Sequence, residues 1–87
     1  MSNKFKHELR ISRRFKKSFE SLDKEMKKRV EEKLKELLEG HISGKPLKGE
    51  YKDFKRIRIG RYRLIYRDSE PCKIHLYDIK PRETAYI

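Results

Sequence analysis

The segment from 54 to 67, FKRIRIGRYRLIYR, alternates apolar and basic residues on both sides of one glycine, and a chain carrying it must fold around that hairpin. A two-residue loop at Gly60 and Arg61 sets Ile59 opposite Tyr62, Arg58 opposite Arg63, Ile57 opposite Leu64 and Arg56 opposite Ile65. Strand side chains repeat every two residues. Ile57, Ile59, Tyr62 and Leu64 therefore share one face, and Arg56, Arg58, Arg61 and Arg63 the other. Like charges directly opposite one another cost about 0.2 to 1 kcal/mol per pair, so stability does not select the basic face. The segment holds six basic residues and no acidic one, and planar five-donor guanidinium groups match phosphate. A polyanion is the ligand this pattern points to.

The hairpin carries more than half of the formal net charge of +11, so the basic excess is local. A focused patch steers an anionic partner. Nucleic acid ranks ahead of membrane, because no long basic amphipathic helix with a large apolar face accompanies it. The 87 residues allow a single domain, 1–87, with one core. Charged residues make up 45% and apolar ones 34%, a balance that describes a disordered chain unless the apolar residues are periodic. They are periodic, and a folded domain is expected. No apolar run reaches bilayer-spanning length and MSNKFKHELR lacks the apolar stretch of a signal peptide, so a cytoplasmic protein is expected. Cys72 is the only cysteine, which excludes an internal disulfide and a cysteine metal cluster. His7, His41 and His75 have no ligand spacing, so neither a metal nor another cofactor is expected.

His7 to Ile11 reads as a short first strand with Leu9 and Ile11 inward. Ser12 then caps a short helix whose inner side is Phe15, Phe19 and Leu22. After Ser21 and Asp23, a second helix runs from Lys24 to Glu39, with Met26, Val30, Leu34, Leu37 and Leu38 in one stripe, and Gly40 ends it. Residues 40–52, GHISGKPLKGEYK, form a loop between the helical half and the sheet half. Beyond the hairpin, residues 68–72 turn the chain at Pro71. Lys73 to Ile79 forms the last strand, with Ile74 and Leu76 inward. The expected fold is α+β, in the order β-α-α-β-β-β, with two helices covering one face of a small twisted antiparallel sheet. The arginines then line the open, concave face, within reach of Arg82 and Tyr86 just past the last strand. Tyr62 and Tyr66 read as core, Tyr51 and Phe54 as either core or a stacking platform, and Leu47 as a loop anchor.

This order of elements, with the strings LKGEYKDFKRIRIGRYRLIYR and DIKPRETAY, resembles the RelE/ParE superfamily of toxins from toxin-antitoxin operons, and in particular its archaeal RelE-like branch. The resemblance spans nearly the whole chain. It implies a ribosome-dependent endoribonuclease that cuts messenger RNA in the decoding site without a metal and is neutralised by a RelB-like antitoxin. Arg56, Arg58 and Arg63 match basic positions of the family's hairpin, and Arg82 and Tyr86 match its arginine and tyrosine after the last strand. Cleavage by a neighbouring 2′-hydroxyl passes through a phosphorane with extra negative charge, which fixed guanidinium groups stabilise, and Arg63 and Arg82 are the candidates for that role. Arg58, Arg56, Arg61 and, by resemblance alone, Lys48 are the candidates for holding the RNA.

The chain departs from bacterial RelE at Arg56 and Arg58, where that branch has lysines, one of them a candidate proton acceptor. Arginine, with a pKa above ~12, does not act as a general base. Tyr86 is then the candidate base, or else a ring that stacks on a base of the codon. His75 and Glu83 are weaker candidates, and Lys55 belongs to the other face. Two rival functions share the fold: a ParE-like poison of DNA gyrase, and a noncatalytic nucleic-acid-binding homologue. The expected partner is an acidic amphipathic antitoxin helix lying across the sheet or the long helix, with operator DNA reached only through the toxin-antitoxin complex.

Overall fold

The computed structural model describes residues 8–49, 52–69 and 72–81. Within them the chain forms strand β1 (Glu8–Ile11), helices α1 (Arg13–Glu20) and α2 (Lys24–Leu38), and strands β2 (Lys45–Pro46), β3 (Phe54–Ile59), β4 (Tyr62–Arg67) and β5 (Lys73–Pro81). The five strands form one sheet in the order β1-β5-β4-β3-β2. The α+β class and the helical cover on one face are as the sequence predicts. The sheet is mixed rather than wholly antiparallel, because β1 runs parallel to β5, and the two-residue β2 adds a strand at the far edge. Among the described residues no helix is long and apolar enough to cross a membrane.

Local chemistry starts each helix. The Ser12 hydroxyl accepts the Phe15 N–H at 3.0 Å and donates to the Tyr77 carbonyl at 2.7 Å, so a single side chain caps α1 and ties it to β5. Asp23 caps α2 by accepting the Met26 N–H at 2.8 Å, and Gly40, at φ 81°, takes the left-handed conformation just beyond its end. Phe15, Leu22, Val30, Leu37 and Leu38 from the helices meet Ile59, Leu64, Tyr66, Ile74, Leu76 and Ile79 from the sheet, with Phe19, Met26, Leu34, Ile57 and Tyr62 partly buried around them. Leu9 packs on this core as expected, whereas Ile11 does not. The chain leaves the sheet at the Ser12 cap, and Ile11 is left 55% exposed.

The β3–β4 register is the predicted one from Ile59 opposite Tyr62 to Arg56 opposite Ile65, and it continues to Phe54 opposite Arg67. Gly60 occupies the first loop position at φ 58°, where glycine suits a tight hairpin turn. Its neighbour is α2, for a Cβ added there would stand 3.0 Å from Nη1 of Arg29. The β4–β5 register shifts between Ile65, opposite Asp78, and Tyr66, opposite Leu76, which leaves Tyr77 as an extra residue. This bulge explains why Leu76 and Ile79 both reach the core, since strict alternation would put residues three apart on opposite faces. Asp78 beside it is 1% exposed; its carboxylate accepts from Ser18 Oγ at 2.8 Å and from the Ile79 N–H at 2.7 Å, with Lys80 Nζ at 3.8 Å.

The face away from the helices is not uniformly basic and open, as the sequence pattern implied. Ile65, level with Arg56, is fully buried, and Leu47, whose N–H bonds the Phe54 carbonyl at 3.0 Å, is 4% exposed.

Candidate functional site

Strand pairing sorts the side chains of the open face into rows, with neighbouring strands about 4.8 Å apart. One row is Arg58, Arg63 and Lys80 on β3, β4 and β5. The next sets Arg56 against Ile65, and a third runs Phe54, Arg67, His75 and Arg10 across four strands. Arg56, Arg58, Arg63 and Arg67 therefore share one face. Arg58 is exposed and the other three are half-buried, so their aliphatic stems lie on the sheet.

Arg56 borders two clefts. One, of about 420 Å³, lies between it and Pro46, Leu47, Lys48 and Gly49, which places Lys48 at the Arg56 end of the face. The other, of about 380 Å³, opens between α2 and the sheet edge, where Lys33 and Lys45 join Arg56 and Arg58. Its wall depends on a close approach. Gly44 donates its N–H to the Tyr66 hydroxyl at 2.8 Å, and a Cβ there would fall 2.6 Å from the Arg56 carbonyl oxygen. Tyr66 is thus a core residue with a structural hydrogen bond at its tip.

Arg61 sits exposed at the second loop position, past the last paired row, so it extends the basic edge without joining a row. Lys55 belongs to the opposite side, as predicted, and pairs with Asp68 at 3.1 Å. Arg82 and Tyr86, like Glu83 and Tyr51, lie outside the described residues. Phe54, which the sequence left between core and platform, stands on the open face with its ring edge-to-face against Tyr77.

Sequence reasoning missed Arg67, although it has the same strand parity as Arg63 and that signal was present. Its guanidinium carbon stands 6.0 Å from the Phe54 ring centre, and its Nε is shielded from solvent with no hydrogen-bond partner among the described residues. Lys33 and Lys45 carried no such signal, because they reach Arg56 only through the packing of α2 and β2. Chemically, the face offers cations on neighbouring strands with apolar ground between them, a surface suited to an extended polyanion.

The family model described as "ParE toxin of type II toxin-antitoxin system, parDE" matches residues 9–86. No curated protein matches the chain by sequence. Among solved structures, the isolated E. coli RelE toxin superposes with a TM-score of 0.74 at 24% identity, covering 91% of this chain and 87% of that one. The archaeal RelE–RelB complex from Pyrococcus horikoshii gives 0.66 at 25% identity, covering 92% and 99%. The Mycobacterium tuberculosis toxin-antitoxin complex RelBE2 gives 0.62 at 25%, covering 87% and 98%. The fold, the match across the hairpin and both helices, and these neighbours agree: the chain is a type II toxin-antitoxin toxin and belongs to the ParE toxin family, within the RelE/ParE superfamily.

Proposed function

We propose that this toxin is a ribosome-dependent endoribonuclease that cleaves messenger RNA in the decoding site and so inhibits translation. The observation that carries the reading is the alignment of Arg56, Arg58 and Arg63 on one sheet face, with Lys80 level with Arg63. In strand cleavage the 2′-hydroxyl gives up its proton, its oxygen attacks the adjacent phosphorus and the P–O5′ bond breaks. The products are a cyclic phosphate and a 5′-hydroxyl that takes up a proton. The phosphorane between them carries extra negative charge, which guanidinium groups fixed beforehand stabilise. Arg63 and Arg82 fill that role, and Arg56, Arg58, Arg61 and Lys48 hold the strand. Arginine does not take the proton, so Tyr86 is the assigned base. Metal-free chemistry follows from the family resemblance.

A RelB-like antitoxin is the partner this reading assigns. Two structural neighbours are toxin-antitoxin complexes, and an acidic amphipathic helix complements a chain of formal charge +11. The toxin acts in the cytoplasm, and operator DNA is contacted only through that complex. Gyrase inhibition is the second reading, favoured by the ParE description of the matching family.

The test compares the wild-type chain with Arg63→Ala, Arg82→Ala and Tyr86→Phe on translating ribosomes, with naked RNA and a gyrase supercoiling assay alongside. Cleavage at codons only when ribosomes are present, lost in Arg63→Ala and Arg82→Ala, supports the ribonuclease. Inhibited supercoiling with intact messenger overturns it in favour of gyrase. Neither effect, with RNA still bound, leaves a noncatalytic binding module.

A further inference from the structure

At the β1 end of the open face lies a cleft of about 380 Å³ that none of the roles above uses. Its walls are Phe54, Arg67, His75, Tyr77, Arg10 and the Ile11–Ser12 corner, with no acidic residue among them. Phe54 and Tyr77 form an edge-to-face pair with ring centres 5.1 Å apart at 69°. Both rings are half-buried and keep open area. Two guanidinium groups flank the pair: Arg67 stands 6.0 Å from the Phe54 ring and Arg14 stands 5.5 Å from the Tyr77 ring. The extra residue of the β5 bulge is Tyr77 itself, and bulges re-aim side chains beside functional sites.

We infer that this cleft is a nucleobase-stacking subsite, taking one unstacked base of the RNA strand whose phosphates cross Arg56, Arg58 and Arg63. The inference rests on the RNA-cleaving reading above. Aromatic faces and guanidinium planes are the two surfaces on which proteins stack bases of single-stranded RNA. Here both kinds meet in one concavity that continues the basic face. Arg67 follows Arg63 by four residues on β4, about 13 Å at the usual strand rise. The strand therefore reaches the subsite away from the reacting phosphate, and the subsite selects which register of the messenger lies over Arg63. An apolar antitoxin side chain is the competing occupant, but Arg67 and Arg14 beside the two rings favour a base lying next to anionic phosphates, while Arg10 on the wall is paired with Glu8 at 2.9 Å.

The experiment measures binding of the full chain to a short fluorescent single-stranded RNA, with an abasic nucleotide placed at each position in turn. The proteins are wild type, Tyr77→Leu, Tyr77→Phe and Arg67→Gln, with thermal unfolding followed by circular dichroism to establish that each is folded. The expected result is one position where base removal weakens wild-type binding on the order of tenfold. That loss disappears in Tyr77→Leu, shrinks in Arg67→Gln and is kept in Tyr77→Phe. Base removal costing the same in wild type and in folded Tyr77→Leu overturns the subsite, as does a variant that weakens binding of an acidic antitoxin peptide while leaving RNA binding intact. RNA bound with this signature but never cleaved on ribosomes overturns the ribonuclease reading and leaves the subsite standing.

Discussion

Arg58 and Arg63 face each other directly across the β3–β4 ladder, and Arg63 in turn faces Lys80 on β5. Setting Arg58 directly against Arg63 works against folding, and the proposed RNA-binding role accounts for its being kept. Arg58→Thr places a strand-forming neutral residue there and is expected to stabilise the free protein by about 0.2 to 1 kcal/mol. For a domain of this size that corresponds to a rise in Tm of roughly 1–8 °C. Calorimetry at low and high salt checks it, because screening shrinks the difference as salt rises.

On the proposed reading, Arg56 and Arg58, in adjacent rows of the basic face, both contribute to the salt dependence of RNA binding. Each phosphate contact removed is expected to lower the slope of log K against log salt by about 0.7 for a single strand. Arg56→Ala and Arg58→Ala should each show this, with affinity falling across all sequences alike. A fluorescence titration at several salt concentrations reads it. Unchanged slopes in both variants would place the RNA elsewhere.

Tyr86→Phe separates proton transfer from stacking, since phenylalanine keeps the ring and loses the hydroxyl. With Tyr86 as the base, single-turnover cleavage is expected to fall by about 10²–10⁴-fold while binding stays within a few-fold. A variant that cleaves at the wild-type rate would assign Tyr86 to stacking alone.

The wall beside Arg56 hangs on Gly44 and Tyr66. Tyr66→Phe removes the acceptor for the Gly44 N–H and is expected to cost about 1–3 kcal/mol. Gly44→Ala pushes a methyl group to 2.6 Å from the Arg56 carbonyl oxygen, so it should displace the β2–β3 edge, destabilise by about 1–3 kcal/mol and weaken RNA binding as well. Urea denaturation and the RNA titration together check both variants. Stability equal to wild type in Gly44→Ala would mean that the edge shifts freely.

Ser18 and the buried Asp78 join α1 to the bulged strand. Ser18→Ala takes a donor from a carboxylate that is 1% exposed and is expected to cost about 1.5–3 kcal/mol, read by the same denaturation. A change below ~0.5 kcal/mol would show that water replaces the hydroxyl.

Much of the fold is legible in the sequence because it is local. Ser12 and Asp23 cap the helices at the positions their side chains favour, the stripe from Met26 to Leu38 faces the core, and the hairpin register from Phe54 to Arg67 follows from alternation around a two-residue loop. The shared face of Arg56, Arg58 and Arg63 follows from the same alternation, so half of the candidate site can be read without coordinates. Arg67 was equally readable, since it continues the parity of Arg63.

Periodicity states which way a side chain points relative to its own backbone, and nothing about which distant segment lies beside it. By itself, the sequence therefore determined the helices, the hairpin, its register and its basic face. Only the tertiary structure decided that β1 lies parallel to β5, that Ile65 and Leu47 are buried on the basic side, and that Lys33 and Lys45 come up against Arg56. It also decided the Tyr77 bulge, which breaks the strand period and carries that ring to Phe54. Each of these comes from long-range pairing, where the energy of a contact depends on chain segments far apart in sequence being packed against one another.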